Sequence, residues 1–335
     1  MSARVRVRLF FLLVALYLLL GPLSGALEPR APLRRGSIVG ASSRPRLLVC
    51  IASHYTAGRT TTHLERVIAE YVGVYSAQFD VRVHVDTNSD ALAPLLARAH
   101  PSMRIDVRVW TLNELGDALH LPYVHRHLMQ TVVDDFEYFI FSEDDVLVPL
   151  AAFQLYVAHR GALQARGWTY GWVRAELWAV DNATAIAIDN VDPIVDAHVY
   201  DAGTGVLFAE PWSPYAAFYA LDRGELRAMI VDPSGVWTGG FPPFLPREKM
   251  SIGWAFKFTG GAREPYGAKG WRARALVPIT ADGRVHPDAI VWHLPRKYAV
   301  SKTLGFHDLG SIKVADVFQW THGVGEADAL PLLPP

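Results

Sequence analysis

Residues 138–149 of this 335-residue chain read Tyr-Phe-Ile-Phe-Ser-Glu-Asp-Asp-Val-Leu-Val-Pro, three consecutive acids between two apolar runs. Neighbouring carboxylates repel, so such a cluster is costly unless something compensates the repulsion. Two carboxylates one residue apart, on a turn at a strand end, can point at one hard cation. Mg2+ or Mn2+ takes such oxygens and keeps positions open for phosphate oxygens. Glu143, Asp144 and Asp145 are therefore candidates for metal chemistry, set against the ordinary alternative of a solvated acidic turn. The aromatic content offers a second kind of chemistry. Trp168, Trp172, Trp178, Trp212, Trp237, Trp254 and Trp271 all follow the acids. Most such residues pack in cores, but sugar rings have apolar faces that pack on aromatics. Trp237, next to Thr238-Gly239-Gly240, is the best placed to touch a saccharide.

These residues need a scaffold, and the hydrophobic pattern describes one. A short apolar run at residues 46–51, apolar and polar alternation at 81–85, and further segments at 105–110 and 136–141 predict strands, the last ending at the acids. Helical spacing at Leu64, Val67, Ile68, Tyr71 and Val72 predicts a helix over 62–75, and further helices are expected over 92–99, 121–133 and 248–258. Later strands are expected at 171–176, 205–210 and 289–292. Strands alternating with helices predict an α/β fold, a mostly parallel central sheet with helices on both faces. In such sheets ligands bind beyond the carboxyl ends of the strands.

In the order of its motifs, the chain resembles the GT-A glycosyltransferases, a Rossmann-like nucleotide-diphospho-sugar transferase class, over roughly residues 46–298. Glu143-Asp144-Asp145 looks like a variant of the Asp-x-Asp motif that binds metal and the sugar-nucleotide diphosphate in that class. The resemblance implies donor contacts from Ser53, His54, Asp86, Glu143 and Asp144, and metal ligation by Asp145, Glu143 and His293. The cofactor implied is Mn2+ (or Mg2+). Thr238-Gly239-Gly240-Phe241 followed by Arg247-Glu248-Lys249 resembles the acceptor-side element, which makes Glu248 the catalytic base and places Gly239 and Gly240 at the acceptor. The base motif is usually Glu-Asp and here is Glu-Lys. Glu176 and Glu264 are the substitutes for the base. Arg296 and Lys297 could help neutralise a leaving nucleoside diphosphate.

Bulk properties set the context. With 32 basic and 33 acidic residues the formal charge is −1, which excludes the strong basic excess expected of a nucleic-acid partner. The single cysteine, Cys50, permits no intrachain disulfide and sits in an apolar run. Arg4, Arg6 and Arg8 precede an apolar run over 9–20, the pattern of a signal peptide or signal anchor across 1–27. Pro-, Arg- and Ser-rich residues 28–45 read as a stalk, 46–322 as the catalytic domain, and 323–335 as a loose tail. Either fate of the N-terminus puts the domain in the lumen of the Golgi or ER, as a type II membrane protein or a secreted one. There the partners would be a nucleotide-sugar donor and a glycan or glycoprotein acceptor. Asn182-Ala183-Thr184 is a glycosylation sequon compatible with that location. Two other readings compete: a catalytically inactive lumenal sugar-binding relative, which would lose the acids, and a nucleotidyltransferase, whose Gly-rich phosphate loop is only faintly matched by residues 53–59.

Overall fold

The computed structural model describes residues 44–56, 58, 60–100, 105–189, 193–211, 215–232, 237, 256–258, 271–273, 275–299, 312–325 and 329–331. All lie in one unit, Ser42–Pro335. Its centre is a five-stranded sheet of order β12–β4–β1–β2–β3. The strands are β1 (Arg46–Ser53), β2 (Asp80–Thr87), β3 (Ile105–Val109), β4 (Tyr138–Glu143) and β12 (Phe218–Asp222). β1, β2, β3 and β4 run parallel, and β12 closes the edge antiparallel to β4. Leu47, Leu48, Val49, Cys50 and Ile51 of β1 are all within 1% of full burial, because layers cover both faces. Each such apolar side chain contributes about 1.5–3 kcal/mol by leaving water. The sheet is thus α/β, with mixed rather than uniformly parallel pairing.

Helices α1 (Thr62–Ala69), α2 (Leu92–Ala99), α3 (Leu112–Leu115), α4 (His125–Thr131), α5 (Leu150–Gln164) and α6 (Arg223–Ile230) lie between the strands. α1 and α5 pack on one face with Leu64, Val67, Ile68, Phe153 and Tyr156. Met129 of α4 and Leu226 of α6 pack on the other, with Phe139, Phe141 and Tyr219. The helix expected over 62–75 widens after Ala69 into a π-turn, Glu70–Val74, and ends in a 3-10 turn. Tyr71 and Tyr75 stay fully buried, and the Tyr75 hydroxyl donates to the carbonyl of Val148, 3.0 Å away, just beyond the acids. The expected helix at 121–133 begins as a 3-10 segment, Ala118–Tyr123, that holds Pro122, and becomes α-helical only from His125. α5, the longest helix described, was not anticipated. Its opening apolar residues continue the run that follows the acids and carry no polar N-cap: Pro149 precedes it with no side-chain cap.

A second sheet has the order β17–β8–β7–β16–β5, from Ile312–Lys313, Ala185–Ala187, Val173–Leu177, Ile290–His293 and Val146–Leu147. A third, β19–β10–β11–β15–β6, joins Leu330–Pro331, Val199–Asp201, Leu207–Ala209, Ala275–Ile279 and Thr169–Tyr170. Two two-stranded pairs, β9 (Ile194–Val195) with β18 (Phe318–Gln319) and β13 (Phe256–Phe258) with β14 (Trp271–Ala273), complete the strands. Two expectations are corrected here. Phe256–Phe258, assigned to the end of a helix, is a strand, its register fixed by pairing with Trp271–Ala273. Leu330–Pro331, assigned to a loose tail, pairs with Tyr200–Asp201, whose free edge it satisfies. The segment 1–27 and nearly all of 28–45 lie outside the described residues. Among the described residues no helix is long and apolar enough to cross a membrane.

Candidate active site

The three acids sit where the chain leaves one sheet for another. Glu143 ends β4, and its N–H donates to the carbonyl of Ala217 at 3.1 Å. Asp144 still belongs to the central sheet, since its N–H donates to the carbonyl of Ala52. Two residues later Val146 pairs with His293 across the second sheet. Asp145 is therefore the crossover residue, and its carbonyl accepts the N–H of Leu294 at 2.8 Å. The Ser142 hydroxyl bonds the Val146 carbonyl at 3.1 Å and locks the turn from below.

Consecutive side chains on this turn look in different directions. Asp144 accepts from the Ser53 hydroxyl at 2.7 Å, at the carboxyl end of β1. Both line a small surface cleft together with His54, Tyr55, Thr61 and His63, at the start of α1. Asp145 is turned inward and is only 6% exposed. Its Oδ2 lies 3.3 Å from Nε2 of His293, which is buried. Nδ1 of the same ring meets Oε1 of Glu176, a fully buried residue of β7. The other Glu176 oxygen accepts the N–H groups of Tyr298, at 2.9 Å, and Ala299, at 2.6 Å. Parallel pairing of Trp292 with Ala175 brings the next residues on, His293 and Glu176, side by side.

Burial alone would lower the His293 pKa, yet its hydrogen bonds to Asp145 and Glu176 raise it. Burial would likewise push up the Asp145 carboxyl, but the His293 contact, with Lys297 and Arg174 nearby, holds it below the usual range. Glu176 is held low in the same way, burial being outweighed by His293 and the two backbone donors. Committing Nδ1–H to Glu176 leaves Nε2 facing a carboxylate oxygen. That approach is attractive only with a positive charge between them, a proton or a metal ion. Asp145 Oδ1 is buried with no hydrogen-bond partner among the described residues. Two donors and an unsatisfied oxygen fit a cation that takes its remaining ligands from phosphate and water. Among the described residues no group of three or more His, Cys, Asp or Glu side chains gathers to hold an ion. Asp145 and His293 converge; Glu143 does not join them as a third ligand.

Glu143 instead belongs to a neighbouring arrangement that sequence reasoning missed. The Tyr215 hydroxyl lies 3.5 Å from Glu143 Oε1, and the Arg174 guanidinium stands 4.7 Å from the Tyr215 ring centre. Arg174 is buried and paired in two places with Asp189, at 2.7 and 2.8 Å. Burial disfavours its charge, but Asp189 more than compensates and keeps it cationic. A signal was present. In the strand Val173-Arg174-Ala175-Glu176-Leu177 two charges alternate with apolar residues, so they share one face. Tyr215 and Asp189 carried no local pattern.

Asp86, expected at the donor, is 1% exposed, with Oδ1 accepting from the Trp110 indole at 2.7 Å and meeting His84 Nε2 at 3.2 Å. Ala52 of β1 pairs with both Asp86 and Glu143, so the three occupy one row of the sheet. Trp237, expected at the acceptor, is 4% exposed and packs in the core beside Phe139, Phe141 and Leu226, which leaves no open face for a sugar. Arg126 reaches over its ring and donates to its carbonyl at 2.7 Å. Glu176, named as a substitute base, has both oxygens committed and cannot take a proton from an acceptor. Glu248, Gly239, Gly240 and Glu264 lie outside the described residues.

Lys297 and Arg296 part company. The Lys297 ammonium stands 5.0 Å from the Tyr298 ring centre, and that ring stacks on His293 at 5.4 Å. Arg296, at φ 51°, turns away and donates to Asn182.

No protein-family model matches the chain, and no curated protein matches it.

Proposed function

We propose that the chain is a metal-dependent glycosyltransferase on a GT-A-type fold. It would move a sugar from a nucleotide-sugar donor to a glycan or glycoprotein acceptor in the Golgi or ER lumen. One observation carries this reading: Asp145 and the Glu176-backed His293 meet at the carboxyl end of the parallel strands, beside the cleft lined by Ser53 and Asp144. Mn2+ (or Mg2+) would be held by Asp145 and His293, and when bound it neutralises charge on the donor diphosphate. Glu176 orients the imidazole and fixes its tautomer through Nδ1. Ser53 holds Asp144 at the cleft mouth, where the donor's nucleotide would lie. Lys297, poised over the Tyr298 and His293 stack, adds a second positive charge for the leaving group. Glu248 remains the proposed base for the acceptor hydroxyl, on the strength of its order in the sequence.

Incubating the protein with a panel of nucleotide sugars, with and without Mn2+, tests the reading. Metal-dependent release of nucleoside diphosphate, together with a glycosylated acceptor, is the expected result. Sugar binding without turnover would point to an inactive relative, and release of inorganic diphosphate to a nucleotidyltransferase.

A further inference from the structure

We propose that Asn182 is a modification site bearing an N-linked glycan, at the tip of the turn joining β7 to β8. The inference rests on the lumenal reading above, since the reaction needs that compartment. Asn182 is the only asparagine in the chain followed two positions later by Ser or Thr. Asp181, Asn182 and Ala183 are all exposed. The turn is fastened from behind rather than at its tip. Asp181 Oδ1 accepts the N–H groups of Ala183 and Thr184, at 3.0 and 2.9 Å, and its Oδ2 accepts the Thr184 hydroxyl. The Asn182 N–H donates to the Trp178 carbonyl at 2.8 Å. These bonds hold Asn182 at φ 56°, a left-handed conformation that Asn tolerates better than most residues, with its side chain outward.

Among the described residues the polar contact of that side chain uses its oxygen, which accepts from the Arg296 guanidinium. Glycosylation uses the other atom. Nδ2 attacks the anomeric carbon of a lipid-linked oligosaccharide diphosphate under the host transferase. A C–N bond forms, the C–O bond to the diphosphate breaks, the lipid diphosphate leaves, and Nδ2 gives up one proton. The product is still an amide whose Oδ1 can accept from Arg296, so the folded turn and the glycan are compatible. Since the Thr184 hydroxyl is occupied by Asp181 in the fold, the transfer belongs to the nascent chain, before the turn closes. The glycan then stands beside the loop after His293, which the Ala179 N–H also ties to this turn through the Ala299 carbonyl at 3.0 Å.

The test is expression of the full chain in a eukaryotic secretory cell, with peptide-N-glycosidase digestion and protease protection in sealed microsomes. A mobility shift on digestion is expected, lost in Asn182→Gln and Thr184→Ala and kept in Thr184→Ser. Thermal unfolding of the two silent variants separates lost modification from failed folding. A protease-protected chain with no shift, or a shift that survives Asn182→Gln, overturns the proposal while the lumenal reading stands. A digestible chain with no shift overturns both.

Discussion

Among the described residues two buried histidine–carboxylate pairs occur, and they are built differently. His84 and Asp86 lie two residues apart on β2, on the same face of one strand, and the Trp110 indole closes the pair by donating to the same Asp86 oxygen. Everything in that cluster comes from residues 84–110 of one sheet. Asp145, His293 and Glu176 come from three separate stretches of chain and meet where the central sheet hands over to the second. There the histidine is caught between two carboxylates, and it is its second nitrogen, not a neutral donor, that faces Asp145. In the local pair a fixed N–H donor reaches Asp86 Oδ1, while Asp86 Oδ2 and His84 Nδ1 stay buried without a hydrogen-bond partner among the described residues. In the assembled pair Asp145 Oδ1 is likewise unpaired, and what sets this pair apart is the second carboxylate, Glu176, which fixes the imidazole from behind.

The largest effect is expected from Asp145→Asn. Loss of the proposed metal ligand should lower metal-dependent nucleoside diphosphate release by roughly 100-fold or more while the circular dichroism spectrum is kept. Full turnover in the variant, or undiminished turnover in chelator, would erase the distinction between the two pairs. Glu176→Gln should weaken Mn2+ binding about 10- to 100-fold, the usual consequence of disturbing the partner behind a ligating histidine. A manganese titration in the presence of nucleoside diphosphate reads this directly, and unchanged affinity would make Glu176 a purely structural residue.

Charge assignment sharpens the same contrast. Lys297→Met should reduce nucleoside diphosphate affinity about tenfold, with nucleoside affinity unmoved, and Arg296→Met should leave both near wild type. Equal losses from the two variants would return both cations to a general surface role. Acidity provides a further handle. Because the pKa of His293 is raised in the fold, metal-free stability gained from its charge is complete below its ordinary value and disappears as pH rises through the raised one. Asp145 and Glu176 are depressed, so their contribution is present above the ordinary carboxylate range and lost as pH falls through their lowered values. Metal-free protein should accordingly be most stable between those limits, and Mn2+ affinity should climb as pH rises past His293, since ion and proton compete. A pH-independent Mn2+ affinity would remove Nε2 from the ligand set. The smallest change is expected at the local pair. Trp110→Phe deletes one donor to Asp86 and should cost about 1–2 kcal/mol in denaturant unfolding, with the Mn2+ response intact.

Much of the scaffold was legible along the chain. β1 was marked by a short apolar run, β2 by alternation, and β3 and β4 by short strand-like segments, and α2 falls on its expected bounds, residues 92–99, because burial of one helix face imposes a local period. The acidic turn was visible for the same reason: three charges between apolar runs stand out without any partner. α5 escaped notice because it has no polar cap and little contrast between its faces. Trp237 was misplaced because an aromatic beside glycines looks the same in sequence whether it lines a cleft or fills a core.

Residues 142–146 by themselves determine that the central strand ends in carboxylates, and the alternation in 173–177 that Arg174 and Glu176 share one strand face. Only the tertiary structure decides which carboxylates meet a histidine. The crossover at Asp145 and the pairing of Val146 with His293 join positions 147 residues apart, and the parallel register of β7 with β16 then supplies Glu176. Neighbours on a strand are set by the two-residue period, but neighbours across strands are set by which ladders close. Ladder closure depends on the burial and hydrogen bonding of the whole fold, and no local pattern contains it.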